Sequence, residues 1–439
     1  MLALIVLLYT VGSYVDVMEV DAAQYASISQ EMLQTGEFLQ VHHRYQDYLD
    51  KPPLLFWLSS ISFWLFGISS FTYKLPSILF SLLGIFSTYK LGKKLYNEET
   101  GRLSSLVLGS CQAMILINND VRTDTMLTGA LIFALWQWVL YFDQKKWGNL
   151  ILGSVGVALA MLSKGPIGLM LPVLALGSEI AIKGQWKKII DPKLLVAVFL
   201  VAVILVPMCY GLYQQHGTGG LKFYFWTQSF GRLTGENVWV NNEGPFFFIE
   251  TFLWSFLPWT LLGGCAIFQR YFFLLRDGSD SRKEREYFTI GGITLVFLAM
   301  SLSKYKLQHY VFITFPLIAI LTAHFMVGIK MNRIWNPIQN VIAGLIIFLI
   351  SVLSIYSFES QWWTIALLIL AFLGFGFVIL KGDVMTKLWL PSFLVHITVG
   401  LVINGLIYPQ LMNYQAASVA GKWMNDKKLT TEQVRAYGD

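Results

Sequence analysis

The sequence has few charged residues and very little cysteine, and each shortage excludes a class of protein. Only 13% of the 439 residues are Asp, Glu, Lys or Arg, whereas 55% are hydrophobic and the mean hydropathy is +0.57. A soluble core could not bury so much apolar side chain, so the composition predicts an all-α polytopic integral membrane protein. The three cysteines, Cys111, Cys209 and Cys265, each lie inside an apolar run, so we expect no disulfide framework and no cysteine-based metal site.

The sequence also lacks a glycine-rich nucleotide loop, and its excess of basic residues does not indicate nucleic acid. The net charge is +6, but about 19 of the 32 Lys and Arg residues fall in alternate loops, which marks those loops as cytoplasmic. About nine of the others fall on the opposite face, where they could hold an anionic lipid headgroup. Apolar runs predict about thirteen transmembrane helices. They lie near 1–15, 73–92, 103–119, 124–142, 148–163, 166–182, 194–213, 246–268, 287–303, 309–328, 336–357, 361–380 and 388–408.

Polar stretches on the outer face divide the chain. We predict a transmembrane domain over 1–413, with a first outer loop at 16–72, a large outer loop at 214–245, and a short outer-facing tail at 414–439. Within the first loop, Asp21 can cap an amphipathic helix, and the Pro residues after Lys51 suit the first turn of a short apolar helix. Both helices are expected to lie in the membrane interface.

Seven short motifs then occur in one order: DAAQYA, DKPPLLFWL, VRTDTML, LSKGPIGLMLP, FGR, LPW and SKYKLQHY. In this order the chain resembles the GT-C class of polyprenyl-phosphate-sugar-dependent glycosyltransferases. It is most similar to bacterial family 39-like enzymes, relatives of the lipid A aminoarabinose transferase and of the protein O-mannosyltransferases. The resemblance implies a GT-C-type fold in which a sugar passes, with inversion, from a lipid phosphate to a lipid, glycan or protein acceptor.

The resemblance also implies a set of site residues. We expect Asp21 to act as the base or to orient the acceptor, and Asp124 to share the catalytic site. The donor phosphate is expected to meet Lys51, assisted by the free N–H groups of the following helix. Two departures from the family pattern stand out, because Ala22 replaces a glutamate and Asp50 is a shorter carboxylate than usual. The further phosphate-binding candidates are Lys164, Arg232, Lys304 and Lys306, and the supporting residues are Asp50, Tyr25 and Tyr310.

Each candidate residue could instead have a purely structural role. Asp21 is also suited to a helix cap, and Asp124 to a structural ion pair with Arg122. The corresponding structural roles are snorkelling at the membrane surface for Lys51 and Lys164, a loop ion pair with Glu236 for Arg232, a basic surface pair for Lys304 and Lys306, and a satisfied span-end histidine for His309.

No cofactor is required by this chemistry, although a divalent metal near His42 and Asp50 is an alternative. Adjacent side chains of an extended segment point to opposite faces, which disfavours a metal shared by His42 and His43. The whole protein could also be a polytopic solute or lipid transporter, or a non-catalytic family member. We expect the enzyme, located in a bacterial cytoplasmic membrane, with its active site on the outer face and a role in the cell envelope such as lipid A modification.

Overall fold

The computed structural model describes residues 1–228, 231, 241, 243–276, 285–329 and 334–429, and this part of the chain is mostly helical. The expectation of a predominantly α-helical protein is therefore confirmed. The helices are α1 (Leu2–Ser13), α2 (Val20–Thr35), α3 (Leu54–Phe66), α4 (Ser70–Leu95), α5 (Glu98–Ser110), α6 (Gln112–Asn119), α7 (Thr123–Gln144), α8 (Trp147–Lys164), α9 (Ile167–Lys183), α10 (Lys193–Lys222), α11 (Phe247–Ser255), α12 (Thr260–Arg276), α13 (Phe288–Ser301), α14 (Phe315–Gly328), α15 (Trp335–Tyr356), α16 (Trp362–Lys381), α17 (Val384–Val402), α18 (Tyr408–Leu411) and α19 (Ala416–Asp426).

Eight helical segments in the described part of the chain are long and apolar enough to cross a membrane. A ninth candidate is the pair α5 and α6, which bends by 50° at its break. Three further apolar helices, α1, α3 and α13, have only 12, 13 and 14 residues. Length and composition therefore support eight or nine spans among the described helices, fewer than the thirteen predicted.

Local breaks explain part of this difference. The predicted span at 246–268 is divided, because α11 ends at Ser255 and α12 begins only at Thr260. Pro258 lies between them and has no backbone N–H to continue a helix. The predicted span at 309–328 is instead retained as one candidate span, Gln308–Gly328, although its first part, Gln308–Thr314, is a tighter 3₁₀ segment.

Close packing of α4 and α8 against α7 fixes the position of the first turn of α7 relative to these two helices. A Cβ atom on Gly129 would lie 2.1 Å from the carbonyl oxygen of Phe80, so α7 and α4 approach at backbone distance. On another side of α7, a Cβ atom on Gly156 would lie 2.9 Å from the Cβ atom of Ala134, which brings α8 equally close. Because α7 and α8 are antiparallel neighbours joined by a short turn, the first turn of α7 lies beside the last turn of α8.

The polar segment at 16–72 folds into α2, a two-stranded hairpin and α3. The strands β1 (His42–His43) and β2 (Gln46–Asp47) pair antiparallel, and the two turn residues Arg44 and Tyr45 have φ values of 54° and 61°. Such values are uncommon for residues other than glycine. The Glu31 carboxylate accepts hydrogen bonds from both of their backbone N–H groups, at 2.7 and 2.8 Å. The hairpin is thus tied to α2.

The start of α2 differs from the prediction that Asp21 caps it. Glu19 occupies the N-cap position, and its side chain makes no capping hydrogen bond. Asp21 lies in the first turn, where a carboxylate interacts favourably with the helix dipole, and its side chain pairs with Arg122. The prediction that Asp21 caps the helix is therefore wrong, because the helix begins at Val20 and places Asp21 inside its first turn.

The last described helix, α19, and the residue before it contact the segment between α1 and α2. Lys422 of α19 pairs with Asp16 at 2.8 Å, and the side chain of Gln415 donates to the backbone oxygen of Met18 at 2.8 Å. Residues near both ends of the chain therefore contact each other next to α2.

Candidate active site

Two adjoining cavities lie where α2, α3, α7, α8 and the segment before α14 meet. The first is polar, has a volume of about 170 Å³, and is walled by carboxylates, cations and tyrosines. The second is an apolar groove of about 390 Å³, formed mainly by α9 with Met300 of α13. Three residues, Lys51, Lys164 and Tyr310, line both cavities. Two cations and a phenol therefore stand where the polar cavity meets the apolar groove.

Asp21 lines the polar cavity and is held by Arg122. The Arg122 Nη1 atom donates to the Asp21 Oδ2 atom at 3.0 Å, while Nη2 contacts the carboxylate of Glu19. Burial alone would lower the pKa of Arg122, but the two facing carboxylates outweigh it and raise the pKa. Burial raises the pKa of Glu19 in spite of this ion pair. One guanidinium thus bridges two carboxylates and fixes the direction of Asp21.

Lys51 lies at the entrance to α3, where we expected it. Its ammonium group pairs with Asp50, and its side chain is only 15% exposed. The Gln228 side chain donates to the backbone oxygen of Asp50 and, at 3.1 Å, to its Oδ1 atom. Because α3 begins at Leu54, its free N–H groups follow Lys51 within one turn. Side-chain and backbone donors therefore lie together at this corner.

Asp124 and Lys164 form a buried ion pair across the α7–α8 contact. The Lys164 Nζ atom lies 2.5 Å from Asp124 Oδ1. The Lys164 side chain is 10% exposed and the Asp124 side chain is 2% exposed. His309 approaches the other carboxylate oxygen, with its Nε2 atom 3.5 Å from Oδ2. The Lys164 ammonium also stands 4.1 Å from the centre of the Tyr310 ring.

This arrangement corrects the ion pair that the sequence suggested for Asp124. The structural partner of Asp124 is Lys164, whereas Arg122, two residues away in sequence, turns towards Asp21 and Glu19. Helical geometry gives the reason, because Arg122 precedes α7 in extended conformation while Asp124 lies in its first turn.

The supporting tyrosines also lie at the site. Tyr25 lines the polar cavity from α2, and burial raises the pKa of its phenol. Tyr310 lines both cavities. The three predicted supporting residues, Tyr25, Tyr310 and Asp50, are therefore brought together with Asp21, Asp124, Lys51 and Lys164.

The remaining predicted cations are placed differently. Lys306 is buried, and its ammonium donates to the backbone oxygens of Glu243 and Gly244 at 2.9 and 3.0 Å. Lys304 is exposed, and neither lysine lines the polar cavity or the apolar groove. The contacts of Lys306 hold the chain at Glu243 and Gly244, just before α11. Arg232 and its suggested partner Glu236 lie outside the described residues.

The two histidines of the hairpin contact different groups. His42 lies between Glu37 and Asp47, at 3.2 and 3.3 Å, while the His43 Nδ1 atom lies 3.3 Å from the side-chain nitrogen of Gln24. Asp50 faces Lys51 instead of His42. Within the described ranges there is no group of three or more His, Cys, Asp or Glu side chains arranged to hold a metal ion.

Several residues that line the two cavities, and Glu19, which contacts Arg122 beside the polar cavity, were not predicted from the sequence. Glu19 precedes Asp21 by two residues, so its place in the same polar loop was a usable signal. His309 directly precedes Tyr310, but a lone histidine at a span end carries no sign of a distant carboxylate. Tyr305 and Thr123 also line the polar cavity, and Gln228 and Ser303 line the apolar groove.

The helical arrangement around these two adjoining cavities is a GT-C-type fold, as comparison with solved structures shows. The structure superimposes on ArnT from Cupriavidus metallidurans bound to undecaprenyl phosphate with a TM-score of 0.75, at 18% identity, covering 92% of this chain and 76% of that one. The arabinosyltransferase EmbB of Mycobacterium smegmatis gives a TM-score of 0.50 at 12% identity, covering 94% of this chain and 42% of that one.

Sequence comparisons agree with the fold. The family model described as dolichyl-phosphate-mannose-protein mannosyltransferase matches residues 50–210. The undecaprenyl phosphate-alpha-4-amino-4-deoxy-L-arabinose arabinosyl transferase of Erwinia tasmaniensis is 27% identical over 348 residues, which is 75% of this chain and 60% of that protein. Its counterpart in Yersinia pestis is 25% identical over 394 residues, or 84% and 69%.

The chain spans about 60% of the length of the relative from Erwinia tasmaniensis and 59% of that from Edwardsiella ictaluri, to which it is 24% identical over 74% of its own length. The resemblance to lipid-phosphate-dependent glycosyltransferases that the motifs indicated is confirmed by these matches.

Proposed function

We propose that this protein is a membrane glycosyltransferase that moves a sugar from a polyprenyl phosphate to a lipid, glycan or protein acceptor. One observation carries the proposal: Lys51, Lys164 and Tyr310 form a common wall of the apolar groove and the polar cavity. A polyprenyl-phosphate sugar has the same three parts in the same order, since an apolar chain is joined through an anionic phosphate to a polar ring.

The apolar groove fits the first part of such a donor. Its wall includes Leu169, Met170 and Val173 of α9 and Met300 of α13, which offer no competing polar group. A polyprenyl chain that binds there moves either from water or from the lipid hydrocarbon into contact with an apolar protein surface. The name of the relative from Erwinia tasmaniensis includes undecaprenyl phosphate, and the structure of ArnT from Cupriavidus metallidurans contains it as a bound ligand. Both support this choice of ligand class.

The phosphate then meets cations where the groove joins the cavity. Lys51 and the N-terminus of α3 provide charge and N–H donors, and Lys164 provides a second ammonium group. We propose that Arg232 reaches the phosphate from the loop at 214–245, and that Lys304 and Lys306 reach it from the segment before α14, when the donor binds. For Lys304 and Lys306 this requires a rearrangement, because Lys306 now holds two loop carbonyl oxygens.

In the transfer step, the acceptor oxygen or nitrogen attacks the anomeric carbon from the face opposite the phosphate, so the configuration at that carbon inverts. The new bond to the acceptor forms as the carbon–oxygen bond to phosphate breaks, and its electron pair stays on the phosphate oxygen beside Lys51. Asp21 accepts the acceptor proton as base or orients the acceptor. Asp124 holds Lys164 in place at the same site.

We further propose the placement in the membrane. About thirteen helical segments cross a bacterial cytoplasmic membrane, counting the short and broken ones, and the active site faces outwards. On this view residues 1–413 form the transmembrane domain, with outer loops at 16–72 and 214–245 and an outer-facing tail at 414–439. Helices α2 and α3 lie in the outer interface. The distribution of Lys and Arg among alternate loops supports this orientation.

The proposed function is tested with purified protein in lipid nanodiscs, a panel of labelled polyprenyl-phosphate sugars, and candidate lipid, glycan and peptide acceptors. We expect acceptor-dependent release of polyprenyl phosphate, with loss of at least about 100-fold in rate for Asp21→Asn. Asp16→Asn is the matched control, because Asp16 pairs with Lys422 and lines neither cavity. Solute uptake by proteoliposomes in the absence of any donor lipid would instead support the transporter.

A further inference from the structure

Helix α19 packs against little of the rest of the protein. It has 11 residues, and none of those whose side chains are described is buried. Its main neighbour among the described elements is the turn Met412–Tyr414, directly before it. An isolated helix shorter than about 12 to 15 residues is only marginally stable in water. A further surface must therefore stabilise α19.

The side of α19 that points away from the protein is apolar at its centre. Val419 and Trp423 lie one helical turn apart and are 46% and 56% exposed, whereas Ser418 and Gly421 on the other side of the helix are partly buried. At the edge of the exposed side, Lys422 pairs with Asp16 at 2.8 Å. A helix at the surface of a soluble protein has the reverse arrangement, with its apolar stripe towards the core.

Exposed aromatic residues show that α19 lies at the level where apolar helices end. Tyr356, Trp362 and Tyr414 stand at the ends of three candidate spans and are 84%, 81% and 89% exposed. The Gln410 side chain exchanges two hydrogen bonds of 3.0 Å with the backbone of Glu359, which brings these ends together. Trp and Tyr are enriched where a membrane meets water. Because α19 begins two residues after Tyr414, it lies beside this aromatic belt.

The charge of this segment is mainly positive. Lys422 belongs to the helix, and Lys427 and Lys428 follow it directly, against a single acidic residue, Asp426. Lys427 and Lys428 are both exposed. Basic residues beside an apolar helical face attract the headgroups of anionic lipids, and their side chains can reach the headgroups while the helix stays in the interface.

We infer that α19 is a membrane-surface helix whose partner is the anionic phospholipid surface of the surrounding bilayer. Val419 and Trp423 enter the boundary between headgroups and acyl chains, and Lys427 and Lys428 meet the lipid phosphates. The inference goes beyond the proposed sugar transfer, because neither the polar cavity nor the apolar groove includes a residue of α19.

The first test measures what surrounds the apolar face. The full-length protein, with its three cysteines replaced by alanine, receives one nitroxide label at Val419→Cys, Leu370→Cys or Glu99→Cys and is placed in phosphatidylglycerol nanodiscs. Leu370 is exposed within α16 and is the reference for hydrocarbon, and Glu99 is exposed at the start of α5 and is the reference for water. We expect the Val419 label, like the Leu370 label, to collide more with oxygen than with a water-soluble nickel complex.

The second test uses the protein with its cysteines intact and examines the role of charge. Amide hydrogen exchange over residues 416–426 should be at least about tenfold slower in phosphatidylglycerol than in phosphatidylcholine nanodiscs. Lys427→Glu combined with Lys428→Glu should abolish this difference. Lys146→Glu combined with Lys187→Glu is the matched control, because both lysines are exposed beyond the far ends of α7 and α9, and it should leave the difference unchanged.

Three results would overturn the inference. A Val419 label that collides mainly with the nickel complex places α19 in water. A label shielded from both oxygen and nickel means that a protein surface, of this chain or of a second copy, covers the apolar face. Equal exchange in the two lipids, or a difference that survives the double replacement of Lys427 and Lys428, removes the anionic surface as the partner. If the protein without cysteines does not fold, hydrogen exchange still decides. No result depends on sugar transfer, so the glycosyltransferase is tested separately.

Discussion

The Asp124–Lys164 pair gives the sharpest prediction about stability, because both side chains are almost completely buried. The perturbation is the replacement of either partner, in Asp124→Asn and Lys164→Met. At a separation of 2.5 Å, two unit charges attract each other by about 7 kcal/mol if the effective dielectric constant is about 20. Desolvation offsets much of this attraction while the pair is intact, but it is uncompensated once one charge is removed.

Each single replacement is therefore expected to lower the free energy of unfolding by about 3 kcal/mol, the lower end of what is measured when one partner of a buried pair is lost. The double replacement should cost less than the sum of the two by about 2 kcal/mol, since it leaves no unpaired charge. His309 remains beside Asp124 in Lys164→Met and moderates that loss.

Unfolding is followed by circular dichroism as the protein in mixed micelles is titrated with denaturing detergent. Asp143→Asn is the control on the same helix, because Asp143 forms an exposed pair with Lys94 and should contribute less than about 1 kcal/mol. If both single replacements cost under about 1 kcal/mol, or if the double replacement is additive, then the pair is not a buried, coupled unit and the reasoning fails.

Three further predictions concern activity. Lys51→Ala should raise the Kd for a polyprenyl-phosphate sugar by about 30-fold, because it removes a charge-assisted contact of roughly 2 kcal/mol. The control variant Lys422→Ala should leave the Kd unchanged, and equal affinities of the two variants in a binding titration would contradict the prediction. Glu19→Gln should lower kcat by about tenfold with little change in the donor KM, because Arg122 loses the partner that fixes its direction towards the cavity; steady-state kinetics with unchanged kcat would argue against that role. Val173→Trp should raise the KM for long-chain donors and spare short-chain ones, and an equal effect on both chain lengths would remove the apolar groove from the donor path.

Much of the site could be predicted because its residues stand at helix ends in short motifs. Lys51 precedes two prolines and an apolar run, and Asp21 lies in the first turn of α2, so both positions stand out in the local sequence, whereas their proposed roles came from the resemblance to the family. Lys164, before a Gly-Pro break, was marked in the same way. All three do line the polar cavity.

Pairings between distant segments could not be predicted. Asp124 and Arg122 are neighbours in sequence, which suggested an ion pair, yet the backbone changes from extended to helical between them and sends their side chains to different partners. The contacts of Lys306 with two backbone oxygens depend on where the loop before α11 ends, which no periodicity encodes. Hydropathy also does not register the break at Pro258, so it predicts one continuous span where the structure has two shorter helices.

The packing of α7 explains why the site depends on residues that never touch a ligand. Gly129 and Gly156 allow α4 and α8 to approach α7 at backbone distance, so the relative height of these helices is fixed by steric contact. Asp124 lies at the start of α7 and Lys164 at the end of α8. The packing of the two helices therefore places these side chains within hydrogen-bonding distance of each other. Lys164 in turn forms part of the wall shared by the groove and the cavity. Interhelical packing in the middle of the protein therefore sets the position of a cation at the point where the phosphate is proposed to bind.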